Sequence, residues 1–180
     1  QVLAKSNDIR FYLGGELSYN KYSYAKGFKD HLNNNNISVK SEVPGASIIA
    51  GARHGENFGT EVGYEFLRQA KSSSSNGSIK AKNAYLDLLG YIPVDNQVEL
   101  IGTFGVGRMR LKEEDYVNTN SKNQTKTNLR TGVGAQYTIG SNLLTRIMVR
   151  YQKVGSKPKD SDFGIIKNKT SLNLGMTYLF

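Results

Sequence analysis

Side-chain polarity alternates with a period of two residues in eight separate stretches of this chain, and that periodicity constrains its fold more than any other feature. The last stretch, 169–180, reads KTSLNLGMTYLF. Leu172, Leu174, Met176, Tyr178 and Phe180 share one face; Ser171, Asn173, Gly175 and Thr177 share the other, with Leu179 as the one apolar exception. The stretch over 127–139 is cleaner still, with Leu129, Val133, Tyr137 and Ile139 on one side and Asn128, Arg130, Gly132, Gly134 and Gln136 on the other. Successive side chains of an extended chain point to opposite faces, so this pattern predicts strands and excludes amphipathic helices.

The remaining strands are expected over about 9–19, 43–53, 58–69, 79–92, 98–111 and 143–152, after a lead-in over 1–8. Connections alternate in length. Polar, Ser-, Asn- and Lys-rich segments over 20–42, 70–78, 112–126 and 153–167 separate short turns at His54–Asn57, Pro93–Asn96 and Gly140–Asn142. A soluble sandwich has no reason to gather its long loops at one end, whereas a membrane barrel does. No run approaches the roughly 18 apolar residues of a spanning helix; the longest is 46–52. A mean hydropathy of −0.48 is compatible with a barrel, because only alternate residues of each strand would face lipid. The expected fold is therefore all-β, an eight-stranded antiparallel up-and-down transmembrane β-barrel, with four long extracellular loops, three short periplasmic turns and one domain over 1–180.

The chain resembles the OmpA-like eight-stranded bacterial outer-membrane barrels. The resemblance rests on 59–66 (GTEVGYEF), 89–91 (LGY) ahead of a short turn, 134–139 (GAQYTI), Thr145-Arg146, 171–178 (SLNLGMTY) and the terminal Phe180. It implies a bacterial outer-membrane location, after removal of a signal peptide that this chain does not show. It also implies a stand-alone small barrel without a peptidoglycan-binding domain, and a structural or surface role. Glu61 and Arg146 fall where the family places charged partners inside the barrel, while Gln136 stands where a carboxylate would be expected. There is no Trp, so an interfacial girdle would rest on Tyr19, Tyr64, Tyr137, Tyr151, Tyr178 and Phe180.

Alternation puts Glu16, Glu61, Glu65, Asp87, Glu99, Arg130, Arg146 and Arg150 on inward faces. The interior of a narrow eight-stranded barrel is filled by side chains, and charges buried there must pair. An internal ion-pair network that plugs the lumen is expected, with a gated conducting path as the alternative. A second group is basic and assigned to the loops: Lys21, Lys26 and Lys29 in the first, Lys71, Lys80 and Lys82 flanking the second, and Lys153, Lys157, Lys159, Lys167 and Lys169 in the fourth. Arg108 and Arg110 should face outward near the end of the fifth strand. With a net charge of +9, these residues suit contact with outer-membrane lipid and lipopolysaccharide, or with host and matrix polyanions. Nucleic acid is not expected, since the lysines are scattered through loops, and a monomer is expected.

Catalysis is not expected either. His31 and His54 lie in predicted connections, away from a candidate Ser on a strand face. Without Cys there is no disulfide and no Cys-based zinc site, and no cofactor or metal site is predicted. Gly102, Gly105, Gly107, Gly132 and Gly134 lie within strands with no helix to follow, so they do not form a phosphate loop. They are expected to leave lumen space or to permit bending.

Overall fold

The computed structural model describes residues 9–24, 42–71, 78–114, 122–155 and 166–180. It forms eight strands: β1 (Ile9–Tyr24), β2 (Glu42–His54), β3 (Phe58–Lys71), β4 (Ser78–Pro93), β5 (Val98–Glu114), β6 (Lys122–Ile139), β7 (Leu143–Val154) and β8 (Ile166–Leu179). Each pairs antiparallel with its neighbours in sequence, and β8 closes onto β1. Closure leaves no exposed sheet edge, which is what allows strands to cross a bilayer with every backbone polar group paired.

Three tight connections lie at one end, and the left-handed conformation they need falls on glycine at Gly55 and Gly140, both with φ 67°. The third is held by the Val94 and Asp95 amides, which donate to the Val98 carbonyl at 2.9 and 3.1 Å. The other four connections join strands at the opposite end and lie largely outside the described residues.

The strands outrun their expected limits at that opposite end. β1 continues to Tyr24, and β6 starts at Lys122 rather than Thr127. The polar composition there predicts loop, but the ladder of a closed barrel continues as long as both neighbours do. Lys21 pairs in register with Glu42 and Thr170 and belongs to β1, not to a loop. Lys71 is the last residue of β3, and Lys153 belongs to β7. His54 ends β2, with its Nε2 3.2 Å from the Thr60 hydroxyl.

Inward and outward faces follow the alternation. Leu172, Leu174, Met176 and Tyr178 are about half exposed, while Ser171, Asn173, Thr177 and Leu179 are buried. β2 resolves an ambiguity of two adjacent isoleucines: Ile49 points inward and is fully buried, and Ile48 points outward.

One ring of register partners gives the stagger. From Tyr12 it passes through Gly51, Glu61, Asp87, Gly105, Arg130, Gln152 and Lys169. It returns to β1 at Tyr22, ten residues beyond its start. At a rise of about 3.3 Å per residue and about 4.8 Å between strands, a stagger of ten over eight strands tilts them by about 40°.

Candidate functional site

The inward face of the described residues carries five buried carboxylates, Glu16, Glu61, Glu65, Asp87 and Glu99, and five buried cations, Arg53, Arg130, Arg146, Arg150 and Lys169. Each would cost several kcal/mol if left alone in a dry interior, and none is alone. Arg146 bridges two acids: its Nε donates to Glu16 Oε1 at 2.6 Å, and its Nη1 lies 2.7 Å from Glu61 Oε2. Arg150 donates to both oxygens of Glu16, at 2.6 and 3.0 Å. The Tyr12 hydroxyl donates to Glu61 at 3.0 Å. These two acids and two guanidiniums form the central cluster.

Three further pairs surround it. Arg130 Nε lies 3.1 Å from Asp87, with its guanidinium 3.6 Å from the Tyr85 ring centroid. Stacking of this kind adds a cation–π attraction that strengthens where water is excluded. Toward the short-turn end, Arg53 grips Glu99 with two nitrogens at 2.6 and 2.9 Å and stacks over Tyr91. Gln136 donates to the same Glu99 at 2.6 Å, which is how an amide serves at a position where a carboxylate was expected. Toward the other end, Lys169 lies 2.7 Å from both oxygens of Glu65. Asn83 also donates to Glu65, and Asn128 donates to Asn83 at 3.0 Å.

Apolar clusters flank these charges. Tyr22, Val43, Leu67, Ala81 and Met109 pack together toward the end opposite the turns. Tyr12, Leu144 and Leu179 pack nearer the turns, as do Leu89, Tyr91, Ile101 and Met148. A cavity of about 10 Å³ remains between Tyr12, Arg53, Arg146 and Leu179, room for about one water.

Glycine makes space for the network. A Cβ on Gly105 would stand 2.2 Å from Asp87 Oδ1, and one on Gly132 would stand 2.8 Å from Arg150 Cγ. Gly102 departs from the expectation of lumen space: it faces outward, with nothing within 4 Å of an added Cβ.

All eight acids and arginines expected inside are buried and take part in this network. Two cations were missed. Arg53 lies in the strand whose facing was ambiguous, and its offset of an even number of residues from Ile49 was the available signal. Lys169 was counted with the fourth loop, and the structure corrects that: it is 1% exposed and belongs to the lumen. Its place on the same face as Ser171 and Asn173 was legible in the alternation.

Of the basic residues assigned to loops, Lys21 and Lys153 are exposed on strands, and Lys26, Lys29, Lys157 and Lys159 lie outside the described residues, as does His31. Tyr19, Tyr64, Tyr137, Tyr151, Tyr178 and Phe180 are all outward and 39–68% exposed. Tyr178 and Phe180 meet edge to face near the turn end, as Tyr64 and Phe66 do farther along the wall. Among the described residues no helix is long and apolar enough to cross a membrane.

The outer membrane protein beta-barrel domain family matches residues 1–180. The chain belongs to that family. It is 27% identical to outer membrane protein A of Klebsiella pneumoniae over 98% of its own length, and it spans about half (53%) of that relative. The fold is shared with the Neisserial surface protein A, at a TM-score of 0.71 and 16% identity, covering 94% of this chain and 97% of that one. It is shared with OprG of Pseudomonas aeruginosa, at 0.63 and 14%, covering 100% and 99%. Ail, the attachment invasion locus protein of Yersinia pestis, solved with the heparin analogue sucrose octasulfate, matches at 0.60 and 17%, covering 96% and 97%. The family and the relative outer membrane protein A are outer-membrane proteins by description, which supports an outer-membrane location for the chain.

Proposed function

We propose that this barrel is a closed anchor that presents a basic surface outside the cell for adhesion to polyanions, with its short turns in the periplasm. One observation carries the reading. Among the described residues the buried acids and bases of the lumen match in number, so the chain's net +9 belongs to residues other than these. A pore would be expected to leave some lumen charge facing a water column. Here each charge is held by a partner, between apolar clusters at both ends.

The likeness to a barrel solved with a heparin analogue adds support to polyanion binding. The family this chain belongs to is described as an outer membrane beta-barrel domain, which supports a structural and surface role over a catalytic one.

Two measurements test this. Purified, refolded protein should give no discrete current steps in a planar bilayer. The same protein in vesicles should bind immobilised heparin and release it as salt rises, since exposed charges are screened within about 8 Å at physiological ionic strength. Reproducible steps would make it a small gated pore. Salt-insensitive or absent retention would remove the adhesive role.

A further inference from the structure

Within the closed wall every strand has two neighbours, but at the end opposite the tight turns β6 outruns β7. Its ladder with β5 continues to Lys122, opposite Glu113, while its ladder with β7 stops at Asn128, opposite Val154. One further bond follows, from the Gly155 amide to the Thr127 carbonyl at 3.0 Å. Among the described residues no strand lies beside 122–127 on the side away from β5.

Two bonds give the direction of the backbone groups along this edge. In a strand the N–H and C=O of one residue point to the same side, and successive residues alternate sides. The Thr127 carbonyl points to the β7 side, where Gly155 meets it, so the N–H and C=O of Thr125 and Asn123 point there too. The Thr138 amide donates to the Gln97 carbonyl, just ahead of β5, at 2.9 Å, which turns the even-numbered residues, Gln124 and Lys126 among them, toward β5. Asn123 and Thr125 therefore present unpaired donors and acceptors in the row that an incoming strand needs.

We propose that this edge takes up an acidic, extended segment of another protein as an added strand. The interaction goes beyond the polyanion adhesion proposed above and rests on the same orientation of the barrel, which puts the edge outside the cell. Main-chain hydrogen bonds to Asn123, Thr125 and the Thr127 amide supply attachment, and the alternate side chains of the segment supply selectivity. A donor and an acceptor repeated every two residues, about 7 Å, is the pattern of a polypeptide and not of a sulfated sugar. Charge selects which polypeptide. β6 contains no Asp or Glu. Lys126 is half-buried on its inward face, and Lys153 of β7 is exposed on the outward face, two residues before Gly155. Among the described residues neither is ion-paired with a carboxylate, so acidic side chains on both faces of the incoming strand would each approach a cation. The same lysines repel the β6 edge of a second copy, a common protection against self-pairing.

The test follows backbone amide exchange by NMR in phosphatidylcholine nanodiscs. In the free protein the Asn123 and Thr125 amides should exchange at least about tenfold faster than those of Gln124 and Lys126, which face β5. The probe is a capped peptide of about eight residues, an ordinary strand length, built of Val, Thr and paired Glu. It should slow exchange at Asn123 and Thr125, and a version with Lys for Glu should not. N-methylation of alternate amides, which keeps the charge and removes strand donors, should weaken binding by about tenfold or more. Thr125→Pro removes one edge-facing N–H without touching the β5 ladder, and should abolish peptide binding while heparin binding persists. Should that variant fail to fold, Lys126→Glu/Lys153→Glu should reverse the preference between the two peptides. Slow exchange at Asn123 and Thr125 in the free protein, whatever its concentration, would mean that the chain covers its own edge. Protection that rises with protein concentration would assign the edge to a second copy. Equal binding of the N-methylated peptide would reduce the contact to charge alone. Each of these overturns the proposal. Loss of heparin binding alone would sink the adhesive reading and leave the edge standing.

Discussion

Lys169 Nζ lies 2.7 Å from both carboxylate oxygens of Glu65, a pair 104 residues apart in the chain and buried together in the barrel. Closure of β8 onto β1 makes this contact possible. Removing one partner leaves a buried charge uncompensated, at a cost of about 3–5 kcal/mol. Lys169→Met and Glu65→Leu should each destabilise the barrel to that extent in urea titrations in vesicles, while the double change should recover most of the loss. Single variants within about 0.5 kcal/mol of wild type would show the pair to be energetically idle.

Arg146 reaches Glu16 and Glu61 with different nitrogens. Lysine has one nitrogen and cannot reproduce that fork. Arg146→Lys should therefore recover less than half of the stability lost in Arg146→Ala, which should be about 3–5 kcal/mol. Full rescue by lysine would mean that charge alone matters at this position.

Two glycines of β5 should respond in opposite ways. Gly105→Ala drives a methyl to within 2.2 Å of both Asp87 Oδ1 and the Leu86 carbonyl oxygen, and should cost about 1–3 kcal/mol. Gly102→Ala meets nothing within 4 Å, faces outward, and should be neutral or stabilise by up to about 1 kcal/mol. Unfolding midpoints of the two variants, measured in the same lipid, check the contrast.

Val133 is 67% exposed near the middle of β6. If that face meets the bilayer midplane, Val133→Arg should cost about 2–4 kcal/mol in vesicles, whereas Thr127→Arg, near the rim, should cost about 0–1 kcal/mol. Equal costs at both positions would contradict the depth assigned to the apolar belt.

Much of this was legible without coordinates. The strands over 129–139 and 172–180 announce their facing in nearly every residue, with Leu179 and Thr131 as exceptions, because a half-buried strand must alternate. Reading failed where that rule weakens. The adjacent Ile48 and Ile49 hid the facing of β2 and with it Arg53. Near the loop ends both faces turn polar, so strand and loop look alike. That is why Lys21 and Lys153 were read as loop residues, and why Lys169 was counted with them.

Local periodicity is enough for the strand number, for the facing of most strands and for eight of the ten buried inward charges of the described residues, all but Arg53 and Lys169. Which charges meet is settled in three dimensions. The ring that starts at Tyr12 and returns at Tyr22 fixes a stagger of ten residues. That stagger brings Lys169 to Glu65 and Arg146 between Glu16 and Glu61. A shift of two residues in any one ladder would keep every side chain on its face and yet pair different charges. Alternation is blind to such shifts, so the partners are settled by closing the barrel and by the cost of any buried charge left unmatched.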